Sequence, residues 1–164
     1  MGSLTDLWFS LLNNFTFVAV AISWFLAQTI KVVIYRREEG HFNLYHFFEA
    51  GGMPSAHSAS VTALTLGIAL TQGWGSPLFT ISMVFALIVM YDATGVRRAA
   101  GKQALILNKI VDDIYSNGRT PVEKLKEILG HDPIEVFAGA GLAILVTSII
   151  YFCNSYFCVS LFKF

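Results

Sequence analysis

Apolar positions along the chain form long unbroken runs parted by short polar breaks. Residues 12–34, 77–95 and 134–157 are each apolar over a length that crosses a bilayer as helix, roughly 17–25 residues. Residues 54–73 are more polar in their first half. Ser58, Thr62 and Thr65 nevertheless recur at i, i+4 and i+7, one hydroxyl stripe of a helix. Ala56 and Ser60 add the small-xxx-small spacing that lets helices approach closely in membranes. The pattern predicts four spans, with 54–73 inside the bundle and away from lipid.

The period changes between the last two runs. Leu107, Ile110, Val111 and Ile114 recur at i, i+3, i+4 and i+7 and predict an amphipathic helix. Asn117-Gly118 marks a turn, and Thr120-Pro121-Val122-Glu123 reads as a capping box with proline at the first helical position. The insertion at about 98–129 is therefore expected to be an amphipathic helical hairpin at the membrane surface. The fold class this implies is all-α: an integral membrane helix bundle of about four transmembrane helices with a cytoplasmic amphipathic hairpin. A chain of 164 residues is expected to be a single domain, 1–164.

Composition agrees with a membrane setting. Hydrophobic residues make up 55% and charged residues 13%, against about 25% charged in soluble domains. A formal net charge of zero gives no footprint for nucleic acid. Cys153 and Cys158 lie in the last apolar run without a ligand framework around them and read as packing residues. The first eleven residues lack a basic leader and carry Asp6, so the first run is expected to remain as an anchor. Ten of the eleven Lys and Arg fall in 31–37 or 97–126, which places the 35–53 and 96–132 loops in the cytoplasm and both termini on the other side by the positive-inside rule.

That topology gathers four polar groups at one interface: Lys31 with Arg36 and Arg37, Pro54-Ser55-Ala56-His57, Asp92 with Arg97 and Arg98, and His131-Asp132-Pro133-Ile134-Glu135. Helix N-termini offer unpaired N–H groups to an anion. Arginine forks match phosphate oxygens in pairs, and lysine adds a point charge. Of two histidines, one can attack phosphorus while the other protonates the leaving oxygen. Such a set needs no metal or other cofactor to position and stabilise a phosphoryl group. Plainer readings stand beside this one. Asp132, Pro133 and Glu135 also make a helix start, and Arg97, Arg98 and Lys102 also suit snorkelling anchors. His41 and His46 sit among aromatics as interfacial residues, and Asp92 calls for a cation such as Arg97 or Arg98.

The motifs themselves resemble those of the type-2 phosphatidic acid phosphatase and vanadium-dependent haloperoxidase superfamily. "PSAH" at 54–57 resembles its Pro-Ser-Gly-His motif, and "HDPIEVFAGAGLA" at 131–143 resembles the end of its third motif. "GVRRAAGKQ" at 95–103 resembles the start of that third motif, and "KVVIYRR" at 31–37 resembles the first. Over about 12–152 the chain is similar to the divergent branch of small bacterial and plant membrane proteins. Ala56 stands at the motif glycine, Glu135 at the motif aspartate, and the stretch from Arg98 to His131 is far longer than in the superfamily. The resemblance implies that His131 becomes a phosphohistidine, oriented by Glu135, with His57 as general acid. Lys31, Arg37 and Arg97 or Arg98 would hold phosphoryl oxygens, aided by Ser55 and the Ala56 amide, with Asp92 in support.

The function expected on these grounds is metal-free hydrolysis of a lipid phosphate or pyrophosphate. The partners are the membrane and the phosphorylated lipid, with self-association left open. The location is a bacterial plasma membrane or, in a eukaryote, an organelle membrane, with the site facing the cytoplasm. The competing expectations are a non-catalytic protein that binds or moves phosphorylated lipid, and a scaffold that docks a partner through its amphipathic hairpin.

Overall fold

The computed structural model describes residues 3–40, 47, 51–115, 125 and 130–156. Its elements are α1 (Leu4–Leu12), α2 (Phe15–Glu39), α3 (Ala56–Gln72), α4 (Pro77–Thr94), α5 (Val96–Tyr115) and α6 (Pro133–Tyr156). The second limb expected for the amphipathic hairpin, with its Thr120 capping box, lies outside the described residues. So do His41, His46 and Cys158.

Local chemistry explains the helix boundaries. Asn14 caps α2, its side-chain oxygen accepting the N–H of Phe17 at 3.0 Å. This cap separates α2 from α1, an element that lies ahead of the 12–34 run and that the sequence pattern did not announce. Helix α2 ends at Gly40 in the left-handed conformation, with Arg36 and Arg37 in its last turn where cations favour the dipole. Ser55 caps α3 and Ser76 caps α4, the latter followed by Pro77 at the first helical position.

The helices form a membrane bundle. Three segments, Phe15–Arg37, Pro77–Asp112 and Pro133–Ser155, are long and apolar enough to cross a bilayer. Helix α3, at 17 residues, is near the shortest length that spans, roughly 17 residues, and it is the hub. It packs on α2, α4 and α6. Its contact face is made of small residues: Ala56, Ala59 and Ala63 join Ala27 of α2 and Ala143 of α6 in the buried core. In lipid, where water gives no drive between helices, close backbone approach supplies the packing energy. The Thr65 hydroxyl adds a polar link, donating to the Val61 carbonyl at 2.8 Å or the Ser82 carbonyl of α4 at 3.1 Å.

One contact fixes the depth of α3 against α6. The Ser55 N–H donates to the Glu135 carbonyl at 3.0 Å, and the Ser55 carbonyl lies directly over Gly139, where a Cβ would collide with it. A glycine one turn beyond Glu135 thus lets the start of α3 sit on the start of α6.

Gly139→Ala is expected to cost about 1–3 kcal/mol, the usual range for overpacking a tight contact, because the obstruction is backbone that cannot swing aside. Gly141→Ala, which meets nothing within 4 Å, serves as the control. Thermal unfolding of the detergent-purified variants checks this: a lowered midpoint for the first and none for the second.

Candidate functional site

Helix α2 presents one polar face to the interior. Trp24, Gln28, Lys31 and Tyr35 are spaced i, i+4, i+7 and i+11, so they share a stripe on the helix. Lys31 is 2% exposed and Gln28 7% exposed. A lysine buried this deeply in an apolar helix implies a site built around its charge.

The sharp turn at Gly51-Gly52, both at positive φ, delivers Ser55 to its cap position and His57 to the first turn of α3. Ser55 is fully buried and contacts Ser58, Oγ to Oγ, at 3.1 Å. On the opposite side, Gly130 at φ +93° has its Cα face within van der Waals reach of the Arg97–Arg98 backbone; an added Cβ would lie 2.7 Å from Arg98 Cα. The N–H of His131 then donates to the Ala93 carbonyl at 2.9 Å. These two contacts carry the chain from α5 back onto the end of α4.

The outcome is that His57 and His131 face each other edge to face, ring centroids 6.0 Å apart and planes at 74°. Two cavities flank the pair. One, of about 530 Å³, is lined by Gln28, Lys31, Gly51, His57, Ser60 and Arg97 among its polar and backbone members, with Trp24, Phe85 and Val89 below. The other, of about 280 Å³, is lined by Tyr35, Arg98, Lys102, His131, Asp132 and Glu135. Arg97 Nε donates to Asp92 Oδ2 at 2.7 Å, and Arg98 pairs with Asp132 Oδ1 at 2.7 Å.

The expected site residues therefore divide. Lys31, Ala56, His57 and Arg97 line the larger cavity, and His131, Glu135 and Arg98 the smaller. Asp92 stands behind Arg97, and Ser55 is withdrawn into the α3–α6 contact. Arg37 is exposed on the last turn of α2 and is not among the described residues lining either cavity. Six residues at about 100° each put it about 120° around the helix from Lys31. Glu135 Oε2 accepts the Asp132 N–H at 3.2 Å and so caps α6, while both ring nitrogens of His131 are buried without a hydrogen-bond partner among the described residues. Gln28 and Tyr35 join the site without having been singled out by sequence reading, and so does Lys102, which the sequence offered as a snorkelling anchor. The first two were legible as polar members of the Lys31 stripe.

Residues 12–146 match the model of the divergent PAP2 family. The chain belongs to that family. Another protein similar to this family member is the uncharacterized membrane protein YuiD of Bacillus subtilis (strain 168), 43% identical over 151 residues, or 85% of this chain and 96% of that one. No solved structure matches. The matched region of the family model includes every residue that lines either cavity.

Burial, then the neighbouring His57, Lys31 and Arg97, push the His131 imidazole down to about 4. A base of ordinary pKa near 6.5 is thereby held neutral at physiological pH, with the lone pair of one ring nitrogen available. In the unfolded chain His131 takes up a proton near pH 6.5, whereas the folded chain resists until about 4. The unfolded state then holds more protons in that window, so the contribution of His131 to stability is complete above pH 6.5 and is lost as pH falls towards 4. The change amounts to roughly 3 kcal/mol. In detergent, the midpoint of thermal unfolding should fall between pH 7 and 4, and His131→Asn should flatten that dependence. Equal slopes for the two proteins would count against a depressed His131.

Proposed function

We propose that this member of the divergent PAP2 family is a membrane phosphatase that hydrolyses a lipid phosphate or diphosphate through a phosphohistidine at His131. The observation that supports it most is the facing pair of histidines between two cation-lined cavities, with buried Lys31 beside them. A neutral imidazole, a second imidazole at transfer distance, and fixed positive charges are the parts that phosphoryl transfer requires.

In the first step a lone pair of the His131 ring attacks phosphorus. The bond from phosphorus to the ester or bridging oxygen breaks, and that oxygen takes the proton of protonated His57. In the second step water attacks the phosphohistidine, His57 takes the water proton, and inorganic phosphate leaves. Lys31 and Arg97 stabilise the negative charge spread over the equatorial oxygens. Arg98 joins them once the phosphoryl group competes with Asp132 for its guanidinium. Asp92 holds Arg97 in orientation. Glu135 acts on His131 indirectly, by fixing the turn on which it sits.

Two features support a lipid as substrate. The larger cavity runs from charged residues into Trp24, Phe85 and Val89, so one ligand meets cations at one end and an apolar wall at the other. The cavity also belongs to a bundle whose outer surface is apolar, where a membrane amphiphile is the ligand at hand. Ten of the eleven Lys and Arg fall in 31–37 or 97–126, the stretches that carry Lys31, Arg97 and Arg98, which supports a cytoplasm-facing site.

The test is phosphate release by purified protein from a panel of lipid phosphates and diphosphates. His131→Ala should reduce release at least a thousandfold, as expected for loss of a nucleophile, while leaving lipid binding measurable. His57→Ala should slow release by a factor of about 10²–10⁴. Binding without release in the parent protein would instead favour a carrier of phosphorylated lipid.

Orthovanadate supplies a second check, since its trigonal-bipyramidal form mimics the transferring phosphoryl group. It should compete with substrate in the parent protein and bind poorly to Lys31→Met. Inhibition that ignores substrate concentration would place vanadate elsewhere.

A further inference from the structure

Helix α5 has two unlike faces, and the phosphoryl-transfer reading uses neither its middle nor its outer side. Gly101, Ala104 and Asn108, spaced i, i+3 and i+7, are buried. They face the protein. The Asn108 amide clasps the returning chain from both ends, its Nδ2 donating to the Leu125 carbonyl at 2.8 Å and its Oδ1 accepting the Leu125 N–H at 2.9 Å. The opposite side carries Val96, Ile106, Leu107 and Ile110, which are 64%, 56%, 49% and 47% exposed. Gln103 is the polar residue within this face. Among the described helices α5 packs only against α4, so nothing described covers it.

Continuity identifies the occupant. Val96 lines a surface groove with Leu87, Ile88 and Tyr91 of α4 and with Val136 and Phe137 of α6. Those side chains belong to the apolar outer belt of the bundle, the surface that faces lipid. The belt therefore runs from α4, beside Asp92 and Thr94 at the groove, through Val96 onto the outer face of α5, where Gln103 is the polar residue on that face between Val96 and Ile106. The combined segment Pro77–Asp112 has 36 residues, about 54 Å of helix, against a hydrocarbon core of about 30 Å. Helix α5 is the excess, and it begins at the level of the site.

Charge narrows the choice of membrane surface. Lys102 and Lys109 are exposed on one flank of the apolar face, seven residues and two turns apart. A helix with an apolar face and a basic flank suits an interface bearing anionic lipid.

We propose that α5 is a membrane-seated helix: Ile106, Leu107 and Ile110 enter the leaflet on the side of the site, and Lys102 and Lys109 engage its anionic headgroups. The proposal stands on the bundle and the faces of α5, independently of the reaction assigned above. Its consequence for that reaction is positional. The first turn of α5 carries Arg97 and Arg98, and Gly130 beside His131 rests on their backbone. Seating the helix in lipid therefore sets the height of both arginines relative to the histidine pair.

The full chain in nanodiscs tests this. In a Cys153→Ser, Cys158→Ser background, nitroxides are attached at Ile106→Cys or Ile110→Cys, both exposed positions that the fold tolerates. Each label should collide with oxygen several-fold more often than with a water-soluble nickel chelate. Adding phosphatidylglycerol to phosphatidylcholine discs should deepen the labels, and Lys102→Glu with Lys109→Glu should abolish that deepening. Ready access of the nickel chelate would overturn the proposal, as would spin–spin broadening from a second copy seated on the face. Deepening that survives both charge reversals would overturn the assignment to anionic headgroups. A second measurement avoids substitution altogether. Carbene-generating phosphatidylglycerol should label the tryptic peptides 103–109 and 110–119 of the unaltered chain. Labelling confined to α2, α4 and α6 would also overturn the proposal.

Discussion

The arrangement rests on one backbone contact, the amide of Ser55 on the carbonyl of Glu135 with Gly139 beneath. It joins the first turns of two helices that are eighty residues apart in sequence. Once it forms, the residue two positions after Ser55 and the residue four positions before Glu135 have almost no freedom to separate. His57 and His131 are those residues. Their 6.0 Å spacing is thus inherited from packing between small residues, and no direct bond between the rings is needed to hold it. A chemical pair positioned by the scaffold in this way stays preorganised before any ligand arrives, which is where electrostatic sites gain most of their advantage.

A buried ammonium would ordinarily be expensive in such a core. Lys31 escapes part of that cost because the Glu135 carboxylate lies near enough to interact with it, whereas the partial positive charge where α3 and α6 begin adds to the cationic character of the site. Burial first, and then the same crowding of positive charge, account for the neutral imidazole of His131. Cations that would welcome an anion repel a proton. The site is therefore poised for a ligand that brings negative charge without bringing acidity, and this links the packing of the bundle to the class of chemistry it supports.

Much of this was legible in the chain. Three long apolar runs announce α2, α4 and α6 by length alone, and the hydroxyl and alanine spacing of 54–73 announces an inner helix. The grouping of polar residues at one interface followed from counting which loops carry lysine and arginine. What was illegible depended on angles and on side-chain competition. Arg37 is near Lys31 in sequence but a third of a turn away in space, whereas Gln28 and Tyr35 are on its stripe. Glu135 fits both a helix cap and a histidine partner on paper, and in the fold its carboxylate is on the cap. The split of the two arginines between two cavities depends on how Gly130 approaches α5, and no periodicity encodes that.

Gly130 also explains why a long excursion between Arg98 and His131 leaves the site compact. Its left-handed backbone and its bare Cα let the returning strand touch the first turn of α5, so both ends of the excursion are pinned at one place. The entropy of closing a loop grows only with the logarithm of its length. A chain that closes on such a clasp can accept or shed residues within the excursion at little thermodynamic cost. The insertion is then free to diversify over evolution, while the chemistry at its base keeps its dimensions.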